Sequence, residues 1–390
     1  MVKWPVTTFE KLYEIPSRNG LSKPSRVRGS GYKMINMGEL FANDRIYDIN
    51  MELVPLTDIE KEKAKILPFD LLFARQSLVA AGAGKCSIVM ETSDLTVFES
   101  HLIRVRLNKL IADPFFYYYY FRSSCSPMQT IIQHCVQAGI KASDLSKLEV
   151  VVPPLCAQRK ISSVLMSIDK KIEENKKINK NLEQQAVAVF NKFYDASTNQ
   201  QPFTTLINAL GGGTPKTGNP EFWDGSIPFF TPKDVGTPYT FKTEKYITEL
   251  GLKHCNSRLY PTNTTFVTAR GTVGKISLAG APMAMNQSCY ALTSEIVDPL
   301  LVYFYVLKAV NALKHKASGA VFDAIVTRDF DGEIINILSD ADSEAALSII
   351  KPMMEAIYNN SKENMRLSAV RDTLLPKLMS GEIDVSNVDL

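Results

Sequence analysis

The residues best suited to chemistry lie in a glycine-rich stretch near the middle of the chain, residues 210–225. Glycines allow one backbone segment to approach another closely. The side chains of Thr214, Lys216 and Asn219 offer hydrogen-bond donors that suit phosphate oxygens or base edges. A simple polar loop anchored by aromatic residues explains the same composition equally well, so residue types alone leave both interpretations open.

A second candidate is the segment 268–275, in which Arg270 is followed by a small hydroxyl residue, Thr272. An earlier segment places Arg75 before Gln76 and Ser77. Arginine at a strand end presents a planar fork of donors that fits guanine or phosphate. A single such arginine is usually a surface ion-pair partner, but its occurrence in two segments favours a binding role.

Catalytic motifs are incomplete in this sequence. Residues 219–222 and 113–116 share part of the [DN]-P-P-[FY] loop of amino-methyltransferases, but both lack the second proline, and no glycine-rich cofactor loop follows a strand. Gly84-Lys85 and Gly274-Lys275 end like a Walker A motif without its Ser/Thr or its first glycine. The six cysteines form no CxxC pair and the four histidines are scattered. We therefore predict no catalytic residue, no ATP site and no metal site.

Two stretches of roughly 190 residues repeat each other along the chain. The matched segments, first copy with second, are residues 32–40 with 227–235, Ala74-Arg75 with Ala269-Arg270, Gly84-Lys85 with Gly274-Lys275, and Asp113-Pro114 with Asp298-Pro299. The offset is 195 residues for the first two matches, 190 for the third and 185 from the fourth onward. A tandem duplication explains these matches.

Each copy ends in a predicted long helix. Residues 157–195 contain neither Gly nor Pro and carry seam residues at alternating steps of four and three, which is a heptad pattern. The predicted seam residues of the two helices are Ile161, Ile168, Ile172, Asn175, Asn179, Leu182, Ile357, Asn360, Asn364 and Leu367. We interpret the Asn residues as fixing register, although partial exposure would also explain them. If the two halves face DNA about a two-fold axis, the helices run antiparallel.

The remaining residues predict an α+β fold. Short β-like runs alternate with turns, and one helix follows each Asp-Pro pair, with the aromatic run 115–121 buried against a sheet. We expect two mixed α/β domains separated by two long antiparallel coiled-coil helices, related by an internal pseudo-two-fold duplication. The predicted limits are 1–155 and 198–342 for the domains, 156–197 and 343–381 for the helices, and 382–390 for a tail.

Composition narrows the class of protein. A chain of 390 residues with 45% hydrophobic residues predicts two or three folded domains. The net charge of +3 is only a weak indication of a nucleic-acid partner. Apolar runs stay well below the roughly 20 residues of a membrane span, and the first residues lack the apolar core of a signal peptide. We expect a soluble, cytoplasmic protein that does not bind a membrane.

Several of these motifs occur together in one known family. They are the Gly211-Gly-Gly-Thr-Pro215 loop with Asn219-Pro-Glu-Phe-Trp223, the Ala269-Arg270-Gly-Thr-Val-Gly-Lys275 turn, the Gln158-Arg-Lys-Ile161 helix opening and the Leu374-Leu-Pro-Lys-Leu-Met-Ser-Gly-Glu-Ile383 ending. Together they resemble the specificity subunits of bacterial type I restriction-modification systems, over nearly the whole chain. The Gly-Gly-Thr-Pro loop and the Leu-Pro-Lys-Leu ending are the most specific motifs.

The resemblance implies a DNA-reading role without catalysis. It implies two target recognition domains that each read one half of a bipartite site in double-stranded DNA, and paired helices that act as a ruler between the halves. It also implies docking of two methyltransferase subunits, which methylate adenine with S-adenosylmethionine, and of restriction endonuclease subunits that use ATP. S-adenosylmethionine, ATP and Mg²⁺ would then bind the partner subunits, and this chain would bind no cofactor.

The resemblance also suggests which side chains contact DNA. The candidates in the second half are Thr214, Lys216, Asn219, Arg270, Thr272 and Lys275, and those in the first half are Lys23, Arg75, Gln76 and Ser77. Ser318 is added because it matches Ala138-Gly139 as a second loop in its domain. In the first half, residues 19–24 have lost the glycine pair and the Thr, and only Pro24 is expected to be retained.

Two other functions stay open at this point. The first is a methyltransferase-like enzyme with fused specificity domains, which the incomplete motifs disfavour. The second is a coiled-coil scaffold that binds no DNA, which leaves the arginine and glycine-rich loops of the globular halves unexplained.

Overall fold

A computed structural model describes residues 4–77, 82–92, 95–134, 138–236, 238–316 and 324–385. The chain divides into two compact units. The first unit comprises Met1–Lys170 and Leu367–Leu390, and the second unit comprises Lys171–Arg366.

The first unit is a mixed α/β unit. Its strands are β1 (Val6–Thr8), β2 (Tyr13–Asn19), β3 (Tyr32–Ile35), β4 (Arg45–Ile46), β5 (Glu52–Val54), β6 (Leu71–Ala74), β7 (Gln76–Ser77), β8 (Cys86–Val89), β9 (Thr96–Phe98), β10 (Leu102–Leu107), β11 (Gln133–His134), β12 (Ala138–Gly139) and β13 (Glu149–Val151). Its helices are α1 (Met37–Ala42), α2 (Asp58–Ala64), α3 (Pro114–Arg122) and α4 (Ala142–Lys147). The largest sheet has the strand order β2-β10-β6-β8-β4 over the described residues.

The rest of the chain adds the long helices and the second unit. Its helices are α5 (Leu155–Ala196), α6 (Glu249–Lys253), α7 (Pro299–Lys316), α8 (Thr327–Asp331) and α9 (Asp340–Met379). Its strands are β14 (Gln200–Pro202), β15 (Asn208–Gly211), β16 (Trp223–Phe230), β17 (Tyr239–Thr240), β18 (Lys245–Ile247), β19 (Thr265–Thr268), β20 (Ile276–Ala279), β21 (Ala284–Met285), β22 (Cys289–Thr293) and β23 (Ile334–Asn336). Helices α5 and α9 each contribute a segment to both units. In the part of the chain that is described, no helix has the length and apolar character needed to cross a membrane.

The two units share one topology. The largest sheet of the second unit has the order β15-β22-β19-β20-β17, which repeats the order of the first unit strand for strand. In both sheets the last pair is parallel (β4 with β8, β17 with β20) and the other pairs are antiparallel. The predicted α+β duplication is therefore confirmed.

Helix α3 shows how local sequence sets an element. Asp113 precedes the helix, and its side chain accepts a hydrogen bond from the Phe115 N–H at 3.4 Å, while Pro114 occupies the first turn. All residues from Phe116 to Phe121 are buried. The aromatic run is therefore core and not an exposed stacking surface, as predicted.

Paired asparagines join α5 and α9 within the second unit. Asn175 Nδ2 donates to Asn364 Oδ1 at 2.9 Å, and Asn360 Nδ2 donates to Asn179 Oδ1 at 2.9 Å. Because the numbering rises on one helix as it falls on the other, these segments run antiparallel. In the repeat, Asn175 corresponds to Asn360 and Asn179 corresponds to Asn364. The two hydrogen bonds are therefore equivalent to each other in the duplication. Asn175 Nδ2 also donates to Glu363 Oε2 at 2.7 Å.

The predicted seam residues differ in burial. The structure buries Ile161, Ile172, Asn175, Asn179 and Ile357. It leaves Ile168, Leu182, Asn360, Asn364 and Leu367 half-buried. A polar pair in a helix seam restricts register because a shifted pairing would bury unsatisfied amides.

A charged cluster joins helices and sheet within the first unit. The Asp169 carboxylate on α5 accepts hydrogen bonds from Arg45 at 2.7 Å, from Tyr119 at 2.6 Å and from Arg371 on α9 at 2.8 Å. Burial alone lowers the pKa of Arg371, but its hydrogen bonds to Asp169 and Asp372 raise that pKa above its ordinary value. One carboxylate therefore ties three separate elements together.

The second unit has an apolar cluster at the equivalent positions. In the repeat, Met354 corresponds to Asp169 and Tyr239 corresponds to Arg45. Phe304 corresponds to Tyr119, and Ala186 corresponds to Arg371. All four side chains are buried in the same hydrophobic core. The first unit thus has charged and polar side chains at these positions, whereas the second unit has buried apolar and aromatic side chains.

We predict that Asp169→Ala lowers the free energy of unfolding by about 3 kcal/mol, because it leaves the Arg45 guanidinium, whose side chain is only 9% exposed, and the half-buried Arg371 guanidinium without their shared carboxylate. Thermal unfolding of the purified chain measures the effect. Asp372→Ala is the matched control, since Asp372 pairs with the same Arg371 but its side chain is 63% exposed, and the expected loss is below about 1 kcal/mol. Equal losses for both variants would contradict the role of the cluster.

Candidate nucleic-acid interface

Three segments of the second unit meet at one end of its five-stranded sheet. They are the glycine loop after β15, the turn after β19 and the turn before β22. Gly213 N–H donates to the Met285 carbonyl at 3.2 Å, and Ala269 N–H donates to the Ser288 carbonyl at 2.8 Å. Segments far apart in sequence therefore form one continuous surface.

The glycine loop depends on its missing side chains. A Cβ at Gly212 would lie 2.1 Å from the Asn286 carbonyl oxygen, and a Cβ at Gly213 would lie 2.5 Å from the Asn256 nitrogen. The glycines therefore pack against the unit's own backbone, and this contact positions the donors that follow. Thr214 is exposed, and its hydroxyl donates to Oε1 of Gln287.

Hydrogen bonds of Thr268 and Lys314 fix the backbone of the turn that carries Arg270. The buried Thr268 hydroxyl donates to the Thr272 carbonyl and accepts from the Lys275 N–H at 3.0 Å. Lys314 on α7 donates to the Gly274 carbonyl at 2.6 Å. The backbone of the turn is therefore fixed, while the Arg270 side chain points to solvent.

The side chains on this surface carry uncompensated positive charge. Arg270, Lys216 and Lys275 are exposed, and none forms an ion pair with a carboxylate among the residues that the structure describes. Such cations attract phosphate groups, and an arginine also fits the edge of guanine.

Two other predicted DNA contacts of the second half, Thr272 and Asn219, form hydrogen bonds within the unit. Thr272 is exposed and its hydroxyl donates to the Pro232 carbonyl at 3.5 Å. Asn219 is half-buried, and its N–H donates to the Lys216 carbonyl at 3.2 Å in a local turn. Ser318 lies outside the described residues.

Hydrogen bonds in the Gly84-Lys85 and Gly274-Lys275 turns show which residues of the two repeats correspond. Gly84 N–H donates to the Ala74 carbonyl at 2.9 Å, and Gly274 N–H donates to the Thr268 carbonyl at 2.8 Å. Ala74 therefore corresponds to Thr268, and the predicted match of the two Ala-Arg dipeptides is wrong by one residue. Along a strand, one residue is the difference between the two faces of a sheet.

The corrected match makes Gln76 the counterpart of Arg270. Gln76 pairs with Gly139, just as Arg270 bridges Ala324 in the second unit. Arg75 corresponds to the buried Ala269 instead, and its guanidinium donates to the Ser100 carbonyl at 3.4 Å.

The glycine loop also has a counterpart in the first unit. A Cβ at Gly20 would lie 2.0 Å from the Phe98 carbonyl oxygen, and Leu21 N–H donates to that carbonyl at 2.8 Å. The contact repeats that of Gly212 and Gly213 in the second unit. The prediction that only Pro24 is retained is therefore wrong, since the close-packed glycine is retained as Gly20 and the hydroxyl of Thr214 as Ser22.

Two further candidates of the first half have placements of their own. Lys23 pairs with Glu60 of α2 at 2.8 Å, only 13% of its side chain is exposed, and its hydrogen bond lowers the pKa of Glu60. In this structure Lys23 therefore anchors a loop to a helix. Ser77 is half-buried and pairs with Ala138 between β7 and β12.

The thiol beside this surface is not activated as a nucleophile. The Cys289 thiol beside the turn has its pKa raised to about 12 by burial, so it stays protonated at neutral pH. The described residues contain no group of three or more His, Cys, Asp or Glu that could hold a metal ion. The arrangement suits recognition by hydrogen bonds and charge.

Gln287 is the residue that sequence reasoning missed. It is a single exposed glutamine in a turn, with no motif or periodicity around it. Its hydrogen bond from Thr214, 73 residues away, brings it into the candidate surface.

We predict that Gly212→Ala destabilises the chain by about 1–3 kcal/mol, because the new Cβ displaces the Asn286 carbonyl. Thermal unfolding gives the loss, and faster amide hydrogen exchange in residues 286–288 shows where it arises. Gly211→Ala is the matched control, since a Cβ at Gly211 meets nothing within 4 Å. An equal effect of both substitutions would contradict the packing role of Gly212.

Comparison with known proteins identifies the family. The model of the type I restriction modification DNA specificity domain matches residues 1–184 and 205–365. The type I restriction enzyme MjaIX specificity subunit of Methanocaldococcus jannaschii is 28% identical over 166 residues, which cover 41% of this chain and 38% of that protein. The putative type I restriction enzyme MjaX specificity subunit of the same organism is 22% identical over 423 residues, which cover 98% of this chain and 94% of that protein.

A solved structure shares the fold. The S subunit of a type I restriction-modification system from M. genitalium superposes with a TM-score of 0.60 at 14% identity, covering 97% of this chain and 96% of that one. The family model matches most of the chain, in both repeats. The chain belongs to the family of type I restriction-modification DNA specificity subunits.

Proposed function

We propose that this chain reads a bipartite site in double-stranded DNA, with one half-site for each unit. The observation that carries the proposal is the sheet end that both units share, which in the second unit presents exposed polar side chains and uncompensated cations. Phosphate contacts position a protein on DNA and base contacts specify the sequence. Arg270, Lys216 and Lys275 suit both kinds of contact.

The proposal extends to the long helices. We infer that α5 and α9 act as the spacer that fixes the gap between the half-sites. The asparagine pairs support this role, because they penalise any slip of one helix along the other. A fixed register is what a ruler needs.

The chemistry is assigned to partner subunits. Under this proposal the chain has no catalytic site and docks methyltransferase subunits, which bring S-adenosylmethionine, and restriction subunits, which bring ATP and Mg²⁺. The incomplete catalytic motifs support this division. Its site of action would be the cytoplasm, where the chromosome lies.

We predict that cells expressing this chain with its methyltransferase partner carry methylated adenine in a bipartite motif with a fixed gap. Genome-wide mapping of methyladenine, with cells that lack this chain as the control, gives the motif. Methylation that does not depend on this chain would contradict the proposal.

We predict that Arg270→Ala relaxes one position of one half-site, because a bidentate contact to a base is worth about 1–3 kcal/mol of discrimination. The variant complex should assemble normally, as gel filtration would show. Lys242→Ala is the control, since Lys242 is an exposed cation beyond β17, at the opposite end of the same sheet. Failure of Arg270→Ala to assemble would make Arg270 structural.

We predict different results for Gln76 and Arg75 in the first unit. Gln76→Ala should relax one position of the other half-site, because Gln76 is the counterpart of Arg270. Arg75→Ala should lower the unfolding temperature and leave the motif unchanged, because Arg75 bonds within the unit. Motif mapping and thermal unfolding of both variants test the corrected match. A change of motif with Arg75→Ala and a loss of stability with Gln76→Ala would instead support the match of the two Ala-Arg dipeptides.

A further inference from the structure

The turn that carries Gln287 has a rigid backbone. Asn286 N–H donates to the Phe230 carbonyl at 2.9 Å, and Cys289 N–H donates to the Asn286 carbonyl at 3.3 Å. The Asn286 side chain accepts from Ser288 N–H at 3.0 Å. Gln287 is exposed at the tip of this turn, so its side chain extends from a fixed point.

The Gln287 amide is oriented by Thr214. The Thr214 hydroxyl donates to Gln287 Oε1. This hydrogen bond fixes the orientation of the amide, with its oxygen toward Thr214. An amide oxygen has two lone pairs and an amide nitrogen has two hydrogens. One lone pair on Oε1 and both hydrogens on Nε2 therefore remain for a ligand.

Arg270 lies next to Gln287 across the sheet end. The hydrogen bond from Ala269 N–H to the Ser288 carbonyl joins the two turns at 2.8 Å, and Arg270 and Gln287 are the next residues on either side. Both are exposed. The backbone therefore brings a residue whose guanidinium has donors only opposite a residue whose amide has one donor side and one acceptor side.

These two patterns match different base pairs. Adenine presents a donor at N6 beside an acceptor at N7, which an amide matches, and guanine presents two acceptors, which a guanidinium matches. We propose that Gln287 reads adenine and Arg270 reads guanine at neighbouring base pairs of the half-site bound by the second unit, with Thr214 as the positioning residue. This inference rests on the DNA-reading function proposed above.

The first unit lacks this amide at the equivalent place. Ser100 corresponds to Gln287, because Arg75 N–H donates to the His101 carbonyl at 2.8 Å as Ala269 N–H donates to that of Ser288. A serine hydroxyl serves as donor or acceptor and discriminates bases poorly. Changes at Gln287 should therefore affect one half-site only.

The test is methyladenine mapping in cells that express the full chain with its methyltransferase partner. Gln287→Glu should change the preferred base at one position from adenine to cytosine, because a carboxylate accepts from cytosine N4. The expected shift in relative methylation at that position is roughly 10- to 100-fold. The other half-site and the gap should not change. Gln200→Glu is the matched control, an exposed glutamine on β14.

A second pair of variants tests the positioning role. Thr214→Val removes the hydroxyl and keeps the shape, so it should broaden the same position without changing the others. Thr214→Ser keeps the hydroxyl and should restore the wild-type motif. Broadening at a different position, or no broadening with Thr214→Val, would overturn the role of Thr214.

The outcomes separate this inference from the function on which it rests. A wild-type chain that directs no bipartite methylation would overturn both. A wild-type motif that Gln287→Glu leaves unchanged, or whose methylation falls equally at every site, would overturn the inference and leave the DNA-reading function standing. Gln287→Ala, which adds no charge, should broaden the position that Gln287→Glu switches.

Discussion

A glycine packed against a neighbouring backbone carbonyl is the constraint on which the candidate surface depends. At Gly212 the contact is with Asn286, and at Gly20 it is with Phe98. In each unit it holds a donor-bearing loop against the turn beside it, so that residues remote in sequence stand side by side. A side chain at either position would separate the loop from the turn, since packed backbones have no room for one.

The duplicated units keep their topology while their interiors diverge. The cluster around Asp169 uses a carboxylate with two cations, and the second unit fills the same positions with apolar side chains. Well-packed apolar residues often replace a buried ion pair without loss of stability, although removing one ion alone is costly. The two solutions are therefore separated by intermediates that are less stable than either.

The sequence predicted what depends on local pattern and missed what depends on pairing between strands. The duplication, the two helices and the burial of the aromatic run follow from periodicity and spacing. The match of Arg75 with Arg270 failed because a shared dipeptide in a turn carries no information on strand register, which hydrogen bonds between distant segments decide. Gln287 was missed for the same reason, because only its contact with Thr214 distinguishes it from other exposed glutamines.

The Gly-Lys turns of the two units are supported by different side chains. In the second unit, Lys314 of α7 donates to the Gly274 carbonyl, a directional bond between a charged group and the turn. At the matching Gly84 of the first unit, the neighbour is the side chain of Met128, a flexible thioether. The support of the turn in the second unit depends on the direction and charge of one hydrogen bond, whereas Met128 fills volume beside Gly84 through a side chain that carries no charge.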